Sequence, residues 1–115
     1  MYRSGLWKFR SVQQGDSVVE DVSKLDMTVS FDPEVMQMLA LMCNNIIGDY
    51  TIVDDVIKAP DAVSTKKYCQ DNRGYAETAF ATNLAAGFKV VIVGEVMTLT
   101  YGSTTIVLDR IPQQF

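Results

Sequence analysis

The sequence predicts an α+β fold, in which an antiparallel sheet with a C-terminal three-stranded meander packs on one apolar helix at about residues 33–47. Three observations indicate this fold. Apolar and polar residues alternate over residues 25–31, which is typical of a half-buried strand. A long apolar run follows Asp32, and two glycine turns divide residues 88–111 into three strands. Hydrophobic residues make up 48% of the 115, so residues 1–115 can form a core as a single domain.

The chain begins with a segment, residues 1–12, that we interpret as a short arm or an edge strand. Trp7 and Phe9 alternate there with the basic residues Lys8 and Arg10. Such an arm would lay its aromatic side chains on a neighbouring surface, so Trp7 and Phe9 are predicted interface residues. A C-terminal tail, residues 111–115, ends in the aromatic residue Phe115, which we also predict to lie at an interface.

The predicted helix at 33–47 has signals at both of its ends. Asp32 is a good N-cap, Pro33 suits the first helical position, and Gly48 suits the C-terminal cap. The residues between them are mostly apolar and leave only a narrow polar stripe. A helix of this kind is covered on most sides, so it packs into the core or between subunits.

The region from residue 50 to residue 87 gives weaker signals. Residues 50–58 fit either a strand or a helix. Residues 61–70 fit a short helix capped by Asp61. Residues 75–86 carry many alanines and fit a helix that Gly87 would end.

The C-terminal meander is the most specific prediction, because its two turns give one consistent register. A turn at Gly94-Glu95 pairs Val90 with Leu99, and a turn at Gly102-Ser103 pairs Leu99 with Ile106. One face of this sheet is therefore apolar. The opposite face is rich in valine and threonine, and it either meets a second layer or a partner or is simply exposed. Its predicted interface residues are Thr98, Thr100 and Thr105.

Composition narrows the chemistry that the chain can perform. Without histidine, Ser-His and Cys-His dyads and the commonest metal ligand are absent. The two cysteines, Cys43 and Cys69, are too few for a zinc site, and a free buried thiol is the default interpretation of Cys43, with a Cys43–Cys69 disulfide as the alternative. We therefore predict no catalytic residues, no cofactor and no metal, and hence no enzyme.

Two short motifs invite a catalytic interpretation and have plainer ones. Ser64 and Lys67 match the S-x-x-K pattern, but the partner motifs of enzymes that use it are missing. Asp54 and Asp55 are adjacent carboxylates, which diverge on a strand or a helix, so we interpret them as a solvated acidic turn.

Charge and targeting signals bear on location and partners. The net charge of −4 argues against a general grip on nucleic acid. The sequence shows neither a signal peptide nor a transmembrane run, so it predicts a cytoplasmic protein without membrane contact, or one in a particle assembled there.

These features predict a non-enzymatic structural or assembly subunit that acts through protein–protein contacts, with itself as a homo-oligomer or with other structural proteins. A bacteriophage virion component, such as a decoration, tail or connector protein, is the particular case that we expect. Two alternatives remain open. One is a winged-helix-like nucleic-acid-binding regulator with a helix at 51–58 and basic residues Lys66 and Lys67. The other is a small carboxylate- or lysine-based enzyme or ligand-binding module.

Overall fold

The computed structural model describes residues 5–69 and 71–111. Over these residues, the fold is an extended antiparallel sheet with one α-helix. Strands make up 53% of the described residues and helices 16%. The helix α1 is Arg73–Ala86, and a short 3₁₀ turn is formed by Val22–Lys24. The strands are β1 (Gly5–Gln14), β2 (Ser17–Val19), β3 (Thr28–Asp32), β4 (Gln37–Leu41), β5 (Asn45–Asp49), β6 (Thr51–Val53), β7 (Val56–Lys58), β8 (Val63–Ser64), β9 (Phe88–Val93), β10 (Val96–Tyr101) and β11 (Thr104–Ile111).

The strands form one curled sheet, a half-barrel, in the order β6-β7-β9-β10-β11-β1-β3-β4-β5-β8, and β2 pairs with β1 beside this path. All pairings are antiparallel. Alternate side chains of each strand point to an inner face, where α1 packs and the core lies, and to an outer face. Phe80 of α1 contacts Phe9 edge-on, with ring centroids 5.2 Å apart, and stacks on Phe88.

The predicted fold class is wrong, because no helix is present at residues 33–47. This segment forms the β4–β5 hairpin and the turn before it. Met38 and Ala40 point inward and are buried, whereas Leu39 and Leu41 point outward and are partly exposed. Because both faces carry apolar residues, the sequence loses the alternation that marks a strand. Asp32 instead stabilises a turn, since its Oδ1 accepts a hydrogen bond from the Glu34 amide at 3.0 Å.

The N-terminal segment is also placed differently from the predicted arm or edge strand. Residues 5–12 belong to β1, which lies within the sheet and pairs with β11, β3 and β2. Trp7 and Phe9 point inward and are fully buried. The regular alternation of aromatic and basic residues is therefore that of a strand with one core face.

The C-terminal strands have the predicted register. Val90 lies opposite Leu99, and Leu99 lies opposite Ile106. Gly94 and Gly102 adopt the positive φ values of 60° and 57° that these turns require. The meander, however, is part of the large sheet and does not stand as a separate sheet on a helix.

The central region is resolved into short strands followed by α1. Residues 51–58 form the β6–β7 hairpin, with Asp54 and Asp55 at positive φ in its turn. This removes the helix that the winged-helix alternative requires. The predicted helix at 61–70 is replaced over its described residues by β8 and irregular chain, whereas the helix predicted at 75–86 is present and ends at Gly87. Within the described residues, no helix is long and apolar enough to span a bilayer.

Candidate functional site

The described residues bring together little of the chemistry that a catalytic centre needs. Over residues 5–69 and 71–111, no cluster of three or more histidine, cysteine, aspartate or glutamate side chains could hold a metal ion. Ser64 ends β8 and Lys67 lies in irregular chain, so the S-x-x-K pair does not share a helix. Asp54 and Asp55 form a turn, as the sequence indicates.

Two charged residues on the outer face, Arg10 and Asp109, have a structural role. Arg10 donates hydrogen bonds from Nε and Nη2 to the carboxylate of Asp109 on the neighbouring strand. This hydrogen bond raises the pKa of Arg10 and lowers the pKa of Asp109. Both side chains face solvent, and they form a cross-strand ion pair on the surface of the sheet.

Apart from Phe115, the predicted interface residues fall into two groups. The aromatic residues Trp7 and Phe9 lie in the core and offer no surface. The three threonines, Thr98, Thr100 and Thr105, lie together on the outer face of β10 and β11, where Thr100 is directly opposite Thr105. Phe115 lies outside the described residues.

The most unusual surface is an apolar row on the outer face at the β8 end of the sheet. Leu39 lies directly opposite Ile47, and Ile47 lies directly opposite Val63. These side chains are 37%, 41% and 64% exposed. The row continues through Ser30 to Leu6 of β1. We call these five residues the outer row.

A second row, rich in carboxylates, runs beside the outer row one side-chain step along the strands. Asp32 lies opposite Gln37, and Gln37 lies opposite Asp49. We call these three residues the acidic row. Glu34, in the turn between β3 and β4, adds a carboxylate to the same side.

Parts of the two rows and this turn line a groove of about 500 Å³. Among the residues that the structure describes, its lining contains no lysine or arginine and consists of Gly5, Ser30, Phe31, Asp32, Glu34, Gln37, Met38, Leu39 and Ile47. The groove is not evident from the sequence, because the mostly apolar segment 33–47 predicts a helix. The alternation Met38-Leu39-Ala40-Leu41, read as a strand, was the signal that could have revealed its apolar wall.

The side of the domain near α1 is held by a polar cluster and a disulfide. Asn44 is buried, and its Oδ1 accepts hydrogen bonds from the Lys67 amide at 2.6 Å and from Thr65 Oγ1 at 2.9 Å. Its Nδ2 donates to the Lys67 carbonyl at 3.2 Å and to Glu77 Oε2 at 3.0 Å. Cys43 and Cys69 form a disulfide with a Cα–Cα distance of 5.9 Å, so the default interpretation of Cys43 as a free thiol is wrong.

A second cavity, of about 410 Å³, opens beside this disulfide. Tyr68 and Tyr75 stand at it, and both rings are strongly exposed. Asp71, which also lines this cavity, is paired with Arg73, and Glu77 is held by Asn44. Its carboxylates are therefore already engaged by charged or amide side chains, whereas those of the first groove form no ion pair within the described residues.

Comparison with known proteins identifies relatives of the chain at the level of family and fold. The sequence profile of a family described as "META domain" matches residues 3–113. No curated protein matches the chain. This family description gives no support to the predicted bacteriophage virion role, and that prediction is not kept.

Solved structures share the fold at low sequence identity. An NMR structure of a protein from Burkholderia xenovorans is 18% identical and covers 95% of this chain and 83% of its own, with a TM-score of 0.75. A second protein solved by NMR is 21% identical and covers 91% and 87%, with a TM-score of 0.74. A crystal structure of an uncharacterized protein from Bacteroides eggerthii is 21% identical and covers 93% and 98%, with a TM-score of 0.58.

Proposed function

The chain belongs to the META domain family, whose profile matches residues 3–113, and from the outer face of its sheet we propose that it is a non-catalytic protein-binding domain. Its contact surface is the outer face of β3, β4, β5 and β8. The proposed function keeps the predicted action through protein–protein contacts. It places the contact surface on the sheet instead of on the predicted aromatic arm.

The outer row is the observation that supports this proposal. Single exposed apolar side chains are normal on protein surfaces. Leu39, Ile47 and Val63, however, are aligned on three adjacent strands and form one continuous strip. Contiguous exposed apolar surface with a polar rim is typical of interaction sites, because its burial against a partner removes it from water.

Site-specific photo-crosslinking in the source organism tests this function. A benzophenone amino acid replaces Leu39 or Ile47 in separate variants, and Val53 or Val93 in control variants. The two control residues are also exposed aliphatic residues, but they lie at the other end of the sheet. We expect discrete crosslinked species from positions 39 and 47 that are absent from positions 53 and 93. Equal products at all four positions, or none at 39 and 47, would contradict the proposal.

The mass of the crosslinked species also identifies the kind of partner. A product of twice the 12.8 kDa chain mass indicates self-assembly, and any other discrete mass indicates a different protein. Sedimentation velocity of the purified domain over a hundredfold concentration range gives the independent check of self-assembly.

A further inference from the structure

We propose that the groove between the outer row and the acidic row receives an amphipathic helix of a partner protein, whose apolar stripe is flanked by lysine or arginine. This inference deepens the proposed function and rests on it. It names the chemistry of the partner from the juxtaposition of an apolar strip and carboxylates that form no ion pair within the described part of the chain.

The spacing of the outer row matches a helix laid across the strands. Neighbouring strands lie about 4.8 Å apart, so Leu39, Ile47 and Val63 follow one another at about this interval. An α-helix rises about 5.4 Å per turn, so it can place one apolar side chain against each strand. From Leu6 to Val63 the row crosses five strands, or roughly 19 Å, which corresponds to about 13 residues of helix.

The acidic row determines the charge of the partner. Two residues along a strand correspond to about 6.8 Å, which places Asp32 and Asp49 within reach of a long side chain beside the apolar stripe. Within residues 5–69 and 71–111, neither these carboxylates nor Glu34 forms an ion pair with this chain. Lysine and arginine have apolar stems that can follow the outer row while their charged ends meet the carboxylates.

The same charges disfavour other occupants. A second copy of this face would bring another set of carboxylates into the interface, and like charges in an interface oppose binding. An anionic lipid surface or a nucleic acid would be repelled in the same way. A cationic protein segment is the partner that charge complementarity supports.

Fluorescence anisotropy with three labelled 18-residue peptides tests the inference. The first has leucines on one helical face flanked by lysines, the second replaces each lysine by glutamate, and the third is a scrambled version of the first. We expect the first peptide to bind at least tenfold more tightly than either of the others at low salt. Its affinity should fall as salt is raised, because partly exposed ion pairs are screened.

Matched variants of the domain localise the binding. The variant Asp32→Asn with Glu34→Gln should weaken binding of the first peptide several-fold. The control Asp16→Asn with Glu20→Gln changes net charge equally at exposed positions on either side of β2 and should have no effect. Ile47→Thr should also weaken binding, and because Ile47 is partly exposed the fold is retained.

The outcomes separate this inference from the proposed function. Equal binding of the three peptides, or equal effects of the two charge variants, overturns the cationic helix, and crosslinks from positions 39 and 47 would still support a binding domain. Failure of both the crosslinks and the peptides removes both proposals.

Discussion

Replacing Asn44 by alanine should destabilise the domain strongly, although the residue is small and polar. The side chain uses its full amide to join three parts of the chain. Its oxygen accepts from the Lys67 amide and the Thr65 hydroxyl, and its nitrogen donates to the Lys67 carbonyl and the Glu77 carboxylate. Alanine would leave these partners in a partly buried site without the amide.

The expected loss can be estimated from these hydrogen bonds. Three neutral bonds at about 1 kcal/mol each and one bond to a carboxylate at about 2 kcal/mol give an upper value near 5 kcal/mol. Water can enter a partly buried site, and bonds of one network are not additive. We therefore expect a loss of about 2–4 kcal/mol in the free energy of unfolding, or roughly 8–16 °C in Tm for a chain of this size.

Asn45 provides the matched control, because the same residue type sits next in the chain on the outer face. Its side chain is exposed and makes no hydrogen bond within the described residues. Urea denaturation of Asn44→Ala and Asn45→Ala, with the disulfide intact in both, measures the difference. Asn45→Ala should change stability by less than about 0.5 kcal/mol. A loss below 1 kcal/mol for Asn44→Ala, or equal losses for both variants, would refute the role given to the cluster.

Four further predictions concern other parts of the domain. Tyr50→Phe should raise stability by up to about 1 kcal/mol in urea denaturation, because the buried Tyr50 hydroxyl has no hydrogen-bond partner within the described residues; a clear loss of stability would contradict this. Burial, with nearby Asp32 adding to it, also raises the pKa of Tyr50, so its absorbance should titrate above the ordinary range. Replacing both Cys43 and Cys69 by serine should cost about 3 kcal/mol, because the two cysteines are 26 residues apart and the bridge restricts the unfolded chain; an unchanged urea midpoint for this variant would show that the bridge does not form. Asp109→Asn should lower stability slightly at neutral pH, and the difference from the unmodified chain should vanish in acid. The Arg10 hydrogen bond lowers the pKa of Asp109. The stabilisation by this hydrogen bond is therefore present above the ordinary aspartate pKa, near pH ~4, and is lost as pH falls through the lowered pKa. A pH-independent difference in thermal unfolding would exclude this cause.

The C-terminal register was predictable because local chemistry determines it. Gly94 and Gly102 each supply the positive φ of a two-residue turn, and the alternation beyond each turn then allows one pairing. The helix α1 was predictable for a similar reason, since its alanines favour helix and Gly87 ends it. Both features are encoded within short stretches of sequence.

The β4–β5 hairpin was not predictable from its own residues. Both faces of the hairpin carry apolar residues. In the turn that precedes it, Met36 has a φ of 53°, which is rare for a residue other than glycine. Its second turn is stabilised from outside, by the Cys43–Cys69 bridge and by the bonds from Asn44 to the segment around Lys67. These contacts join residues more than twenty positions apart. Because they are not visible in the local sequence, the groove beside the hairpin was not predictable either.

The pairing of the first strand with the last has a consequence for the order in which the domain folds. Leu6 lies opposite Ile111, and Gln14 lies opposite Thr104, so the sheet pairs its first described strand with its last. Of the described strands, β11 is synthesised last, and until it is present β1 lacks one of its neighbours. Closing a loop of this length is entropically costly and slows folding. Trp7 and Phe9, on β1, therefore reach their buried positions in the complete sheet only after β11 has been synthesised.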